Sequence, residues 1–499
     1  MLAIKQKFDT FLAGLSMYLL VTLALFLLFG VALTYSFLGV TTFHPIDIIP
    51  SLTLFMGISF GASYVFAYLF SVSAHHKSAL ITGGILFCIF SPTLSVSNLL
   101  IYALVAVFAV ASKYLLVWRS RHIFNPAAVA AVIISLTGLQ GASWWMADAS
   151  FAVPVTILAL IILYKTERLE MGGIFFASYI VTLSIAAIFH HQSVGDLLVV
   201  SLAVWWPLFF VGFMVSEPLT LPSRRYQVAI VAIVVAVLAG LHPSFGPIYV
   251  TPEIALIVGN IVSFGMTRRV GVKLKLVRRE RFAGGQELFE FEPMRKFVFK
   301  AGQHLELSLP HAKADLRGER RQFTIASAPE SKTIKLTTRY AQKTSTFKAH
   351  LKTLKIGQTI TAAGVKGDFL LPKDSNKKLL FVAGGIGITP FRAFVESLRL
   401  REQSRDIVLI YAVRAEKEVL FKDIFNVKSG VKQIVVAPDA GQNHIRATGI
   451  TKELLKDAVT DIDSRHVYIS GPPPMVAAVA SEVTALGAAS VTKDSFTGY

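Results

Sequence analysis

At 499 residues, 54% hydrophobic and only 16% charged, the chain is too apolar for a soluble enzyme of its length. Its single cysteine, Cys88, excludes an intrachain disulfide, a cysteine-ligated iron–sulfur cluster and a cysteine-rich zinc site, and no metal centre is expected. The net charge of +18 is uneven: 12 basic and 8 acidic residues lie up to Arg269, leaving 37 and 23 beyond it. A basic half beside an anionic membrane leaflet and phosphate-bearing ligands accounts for that excess, and no nucleic-acid module is present, so nucleic acid is not an expected partner.

From Leu12 to Met266 the sequence is a series of long uncharged runs. Lys5 and Lys7 precede about 25 apolar residues, which read as a retained first helix and not as a cleaved signal. A helix needs about 20 apolar residues to cross the hydrocarbon core. Ten candidate spans follow: 13–38, 51–72, 78–92, 98–117, 125–139, 151–164, 172–189, 196–214, 227–241 and 251–267. With Lys5 and Lys7 inside, every basic residue up to Arg269 falls on one side, and segments 39–50, 93–97, 140–150, 190–195 and 242–250 carry none. The positive-inside rule then places both termini in the cytoplasm and the protein in the cell's inner membrane.

Past Arg269 the pattern becomes that of a globular protein. Short alternating strands such as Val272–Val277, Glu287–Phe291 and Leu305–Leu309, punctuated by Gly and Pro, predict a small antiparallel barrel over 270–374. From 375 to 499, the apolar strands Leu379–Ala383, Ile407–Val413, Gln433–Ala437 and His466–Ser470 alternate with helical segments. That alternation predicts a doubly wound parallel sheet. The expected organisation is a ten-helix membrane domain (1–269), an antiparallel barrel (270–374) and an α/β domain (375–499).

Four motifs carry chemistry. Arg321-Gln322-Phe323-Thr324-Ile325-Ala326-Ser327 follows Gly302-Gln303 and precedes Ser345-Thr346 and the turn Gly364 to Phe369. Leu380 to Pro390 is a strand entering a glycine turn, Gly384-Gly385-Ile386-Gly387, that opens a helix at Thr389-Pro390; bare amides at a helix start suit a pyrophosphate. Tyr468-Ile469-Ser470-Gly471-Pro472-Pro473-Pro474-Met475 is a strand end, and Asp494 to Tyr499 is a terminal aromatic segment.

Together, in this order, these motifs resemble the ferredoxin–NADP reductase superfamily. The resemblance implies an FAD-dependent NAD(P)H oxidoreductase. It implies that Arg321 clamps the FAD pyrophosphate with Ser345 and Thr346, that Phe323 lies along the isoalloxazine, and that Thr324 hydrogen-bonds near flavin N5, with Ser327 closing the motif. Gly384, Gly385, Gly387, Thr389 and Pro390 then hold the nicotinamide nucleotide. Ser470, where the family has cysteine, sits beside the nicotinamide with Gly471, Pro472 and Met475. Tyr499 stacks on the flavin, and Thr324, Ser470 and Tyr499 serve hydride transfer. Arg414, after the second strand of the α/β domain, contacts an adenosine 2′-phosphate or solvates a surface; NADH and NADPH both stay open.

In the membrane half, Ser120-Arg121-His122-Ile123-Phe124-Asn125-Pro126-Ala127-Ala128 and Phe213 to Thr220 resemble segments of the related membrane proteins of the sodium-translocating NADH:quinone reductase and the Rnf complex. The resemblance implies helices that carry a flavin. The family's Ser/Asp-Gly-Ala-Thr attachment site is absent; Gly141-Ala142-Ser143 and Gly61-Ala62-Ser63 are the nearest strings. A noncovalent flavin near Arg121, His122, Asn125 and Glu217 is one reading, and snorkelling helix-end residues are the other. Electrons would pass to a membrane-associated acceptor: a quinone, a protein or a metal ion. A ferric-reductase-like alternative needs histidine pairs inside the bilayer, whereas His44, His75, His76, His122, His190, His191 and His242 fall at helix ends or in loops. A redox-sensing transporter is the remaining alternative.

Overall fold

The computed structural model describes residues 8, 11–12, 15–70, 76–118, 121–196, 206–222, 224–246, 248–266, 271–311, 315, 319–340, 344–425, 430–441 and 444–495. The chain separates into two compact units, one over Leu15–Arg269 and the other over Val270–Tyr499 with Met1–Gly14.

The first unit is helical. Among the described residues four helices are long and apolar enough to cross a membrane: Met17–Phe37, Pro45–Leu69, Val96–Leu115 and Leu169–Phe189. Five more apolar helices are shorter: His76–Ile89, Pro126–Leu136, Ala152–Lys165, Arg225–Leu241 and Pro252–Met266. The described residues thus hold four helices of spanning length where ten spans were expected. Helix rise explains why: at about 1.5 Å per residue, an 11- to 17-residue helix falls short of a hydrocarbon core about 30 Å thick. Protein surrounds one of these short runs, His76–Ile89, whereas the others keep exposed apolar side chains such as Val153, Ile157, Leu136, Ile233 and Ile261. Every residue from Thr82 to Ile89 is buried, and a Cβ on Gly83 would stand 2.6 Å from the Phe55 carbonyl oxygen. Gly212 packs as closely on Ala159, and Gly259 on Val235, the small-residue contacts that let apolar helices approach. The candidate at 196–214 falls partly on 197–205, outside the described residues; its described end is Trp206–Phe209 running into a π-helical stretch, Phe210–Val215.

The second unit holds two six-stranded sheets. In the first, β1 (Val272–Phe282), β2 (Gln286–Pro293), β3 (His304–Ser308), β4 (Arg320–Thr324), β5 (Ile334–Arg339) and β6 (Thr359–Lys366) pair antiparallel in the order β4-β3-β6-β1-β2-β5. Alternation along β1, with Val272, Leu274 and Leu276 inward, fills a core with Phe289, Phe291, Leu305, Leu307 and Phe347. The antiparallel pairing expected over 270–374 is present, as a six-stranded sheet. No ladder joins end strands β4 and β5 among the described residues; they meet just past β4, where Ala326 N–H donates to the Lys335 carbonyl at 2.8 Å. Alternating burial specifies antiparallel pairing but not closure.

The second sheet is parallel throughout, β7 (Leu379–Gly384), β8 (Ile407–Ala412), β9 (Val431–Ala437), β10 (Ile445–Arg446), β11 (His466–Gly471) and β12 (Ser490–Ser495), in the order β10-β9-β8-β7-β11-β12. All six residues of β7 are buried, as a strand covered on both faces must be. Phe381, Leu409 and Tyr411 enter one core; Leu380, Val382, Ile410 and Val467 enter the other. The order reverses at β7, so β7 and β11 flank a topological switch point, where open α/β sheets bind ligands.

Candidate active site

At the switch point two strand ends lie side by side, with Ala383 of β7 in register with Ser470 of β11. Beyond β7 a 3₁₀ turn, Gly385–Ile388, leads into the helix Thr389–Leu400, with Pro390 in its first turn. From Gly471, the last residue of β11, Pro472 leads into the helix Pro473–Ala485.

The three glycines of the turn have different roles. A Cβ on Gly387 would stand 2.2 Å from the Ser470 carbonyl oxygen, and one on Gly384 would stand 2.4 Å from Met475 Sδ. These two let the strand ends close on each other. Gly385 has φ +54° and open space where a Cβ would be, so it presents bare backbone. Thr389 is buried and its hydroxyl donates to the Ile386 carbonyl at 3.1 Å. The Ser470 hydroxyl is fully buried without a hydrogen-bond partner among the described residues. A polar atom so placed costs free energy unless a partner arrives. Arg414, past β8, is exposed. Tyr499 lies outside the described residues.

On the antiparallel sheet, Arg321 donates through Nη2 to Asp315 Oδ1 at 2.9 Å and lies over the Phe347 ring, 5.3 Å from its centroid. The other oxygen of Asp315 accepts the Thr346 N–H at 3.2 Å, at the start of the helix Thr346–Thr353. Ser345 caps that helix, its hydroxyl accepting from the Lys348 N–H. A carboxylate is thus held between a guanidinium and a helix-terminal amide, the donor set of an anion cradle. Thr324 is buried and faces His304 in register. Phe323 is also largely buried, tilted against Phe347 at 6.0 Å. The Ser327 hydroxyl accepts the Lys335 N–H at 3.1 Å, a structural bond between strand ends.

Residues that sequence reading missed stand beside this group. His304 is held neutral: burial first, then the Lys366 ammonium, pull its pKa down to about 4, with Asp368 opposing. Asp494, in register with Ser470, moves the other way; burial, then Asp368, raise its carboxyl to about 6. A depressed histidine contributes stability that is present above 6.5 and lost as pH falls toward 4. A raised carboxyl contributes stability that is present below 3.8 and lost as pH rises through about 6. The two slopes oppose each other. Melting of His304→Gln between pH 4 and 6 should therefore show stability falling with rising pH relative to wild type, and Asp494→Asn should show it rising. Parallel profiles for all three proteins would contradict the assignment.

In the membrane unit, Glu217 accepts from Asn125 Nδ2 at 3.1 Å and lies 2.8 Å from His122 Nε2; the Asn125 N–H donates to Asn260 Oδ1 at 2.8 Å. Asn125 also caps the helix Pro126–Leu136. Lys113, Asn125, Ser216 and Glu217 line one cavity. The Arg121 side chain lies outside what is described. His44, His190, His191 and His242 stand at helix termini.

Residues 381–481 match the family described as Oxidoreductase NAD-binding domain. This part of the chain is an NAD-binding oxidoreductase domain. The match agrees with the expectation of a nicotinamide-dependent oxidoreductase. NADH oxidoreductase HCR of Escherichia coli (strain K12) is 29% identical over 201 residues, covering 40% of this chain and 60% of that protein. NADH-cytochrome b5 reductase 1 of Cryptococcus neoformans is 26% identical over 239 residues, covering 43% and 78%. A ferredoxin NADP+ reductase from Neisseria gonorrhoeae, solved with bound FAD and NADP, is 20% identical with a TM-score of 0.40, covering 46% of this chain and 99% of that one. The chain thus spans about 60% of the length of the first of these relatives.

Proposed function

We propose that this chain is a membrane-bound, FAD-dependent NAD(P)H oxidoreductase that delivers electrons to a membrane-associated acceptor. The observation that carries the reading is the buried, unpartnered Ser470 hydroxyl beside the open backbone of Gly385, at the switch point of a nucleotide-binding sheet. FAD, when bound, supplies a hydride acceptor that can release its electrons one at a time.

The chain's own residues bind and orient. Arg321 and the Thr346 amide take the FAD diphosphate in place of the Asp315 carboxylate, with Ser345 and Ser327 fixing the two backbone segments. The donor set fits a diphosphate because it already holds an anion. Thr324 and Phe323 border the flavin ring. The Gly384–Pro390 turn takes the nicotinamide nucleotide, with Gly471, Pro472 and Met475 as its far wall. Ser470 gives the nicotinamide carboxamide a hydrogen-bond partner, and Tyr499 covers the flavin until nicotinamide displaces it. Arg414 is the cation available to a 2′-phosphate.

Four helices of spanning length support membrane association. The likeness of 120–128 and 213–220 to the quinone-reductase and Rnf membrane proteins supports a multi-pass arrangement; the one-sided distribution of Lys and Arg, and with it the cytoplasmic placement of both termini, belongs to the ten-span count and is not kept by the four helices of spanning length. The acidic, amide and imidazole groups gathered at Glu217 support a second, noncovalent flavin there.

Cofactor extraction from the purified full chain, followed by mass spectrometry, tests this reading. One FAD per chain is expected, with a second flavin if the Glu217 group holds one; a chain that retains no FAD after reconstitution defeats the proposal. The Asp315 contact gives a further expectation. It is a partly exposed pair worth about 1 kcal/mol at most. Asp315→Asn should remove the competing charge and tighten FAD by roughly three- to fivefold in a fluorescence titration. Weaker binding would mean that Asp315 orients Arg321 and does not compete with the ligand.

A further inference from the structure

Between the two sheets of the second unit runs a buried ionic contact that the binding of neither ligand requires. Arg392 and Glu396 lie one turn apart on the helix that follows the glycine turn, and both are almost wholly buried, at 4% and 7% exposure. The Arg392 guanidinium donates to both Glu396 carboxylate oxygens, at 2.9 and 3.0 Å, and to the Ala326 carbonyl at 2.5 Å. Glu396 Oε2 also accepts the Ala328 N–H at 2.7 Å. Ala326 and Ala328 lie two and four residues past Thr324, on the backbone leaving β4. Toward the end of the helix, Ser397 and the C-cap residue Arg401 both donate to Glu330, at 2.9 and 2.5 Å. The guanidinium face is closed by the Phe421 ring at 5.1 Å.

We infer that Arg392 and Glu396 are positioning residues, a strut that fixes the distance between the flavin-bearing strand and the nucleotide-bearing turn. The inference rests on the proposed function. The helix begins at Thr389, so its register sets where Gly385 to Thr389 stand; segment 325–330 continues directly from Thr324. The strut joins these two backbones by side chain to main chain, which leaves little freedom in their separation. A buried ion pair is a poor source of net stability compared with packed apolar side chains of equal volume. Its directional bonds do define a geometry, and hydride transfer depends steeply on geometry.

The test compares the full-length, FAD-reconstituted wild type with the double variant Arg392→Met/Glu396→Met. The double variant removes both charges and keeps the volume, because losing one partner alone would strand the other. Three quantities are read: hydrogen exchange of the peptide spanning 325–330 in FAD-free protein, retained FAD, and the rate of flavin bleaching by NADH as a function of NADH concentration. The expected result is faster exchange at the Ala328 amide, unchanged FAD content, a KM for NADH within about threefold of wild type, and a limiting rate roughly 10- to 100-fold lower. If the double variant does not fold, Glu396→Gln is the test variant: a neutral amide holds Arg392 and the Ala328 N–H less tightly than the carboxylate does, so its limiting rate should fall by roughly threefold or more with FAD content unchanged, and a limiting rate equal to wild type overturns the strut. A double variant with faster exchange but a wild-type limiting rate would reduce the pair to a structural contact and overturn the inference. Wild type that neither NADH nor NADPH bleaches would overturn the underlying function and the inference with it; if only NADPH bleaches it, the same rates are read with NADPH.

Discussion

Gly387→Ala should collapse the nucleotide-binding half, with the largest loss among single substitutions in the turn. Its Cβ would stand 2.2 Å from the Ser470 carbonyl oxygen and 2.5 Å from the carbonyl carbon. Both are backbone atoms at the laddered end of β11, held by β7 on one side and β12 on the other, so neither can rotate away, and the strand ends must separate. Overpacking of this kind costs roughly 3 kcal/mol or more. Gly384→Ala meets the flexible end of Met475 instead, at 2.4 Å from Sδ, and a rotamer change there should hold the cost to about 1–2 kcal/mol. Gly385→Ala meets nothing within 4 Å but sits at φ +54°, which costs an L-residue about 1 kcal/mol. The expected order of thermal destabilisation is 387, then 384, then 385. Limited proteolysis of the full chain should show the same order over 375–499. For nucleotide binding, Gly385→Ala should have an effect out of proportion to its stability cost, since its added methyl fills the open side of the turn. A Gly387→Ala protein as stable as wild type would mean that the strand ends do not pack as described.

Arg321→Ala should lose FAD while keeping its fold. The guanidinium makes charge-assisted bonds, worth about 1.5–3 kcal/mol each to a bound anion, so FAD affinity should fall roughly 10- to 100-fold. The fold should survive because the native partner, Asp315, is itself partly exposed and can solvate its carboxylate. Arg321→Lys should fall between the two, because an ammonium is a point charge and cannot offer the planar fork. Flavin content measured after desalting, with circular dichroism as the control for folding, checks both variants. Unchanged flavin content in Arg321→Ala would remove the diphosphate role from this residue.

The glycine turn was readable because its requirements are local. A strand entering Gly-Gly-Ile-Gly-Ile-Thr-Pro can only turn sharply and start a helix, and it does so at Gly385–Thr389. What sequence could not separate was the function of each glycine: the need at 387 and 384 comes from Ser470 and Met475, more than 80 positions away. Arg392 and Glu396 carried the opposite signal. Charged residues at i and i+4 are ordinarily a solvent-exposed helix pair, and only the packing of segment 325–330 on that helix reveals these two as buried. Asp315 was invisible for the same reason, since its partner amide belongs to Thr346. In the membrane half, an apolar run has one appearance whether lipid or protein surrounds it. The run 78–92 therefore counted as a span although its helix, His76–Ile89, is packed inside the bundle from Thr82 onward. Strand alternation likewise announced antiparallel pairing in 270–374 without fixing whether the sheet closes.

Anaerobic mixing tests most directly whether this chain brings a nicotinamide nucleotide to a bound FAD. The purified full chain, reconstituted with FAD, is mixed with NADH and separately with NADPH while the flavin absorbance is followed. At least one nucleotide should bleach the flavin in a saturable, single-turnover phase, and ferricyanide should restore the colour. Protein that binds FAD yet keeps its colour with both nucleotides would contradict hydride transfer at this site.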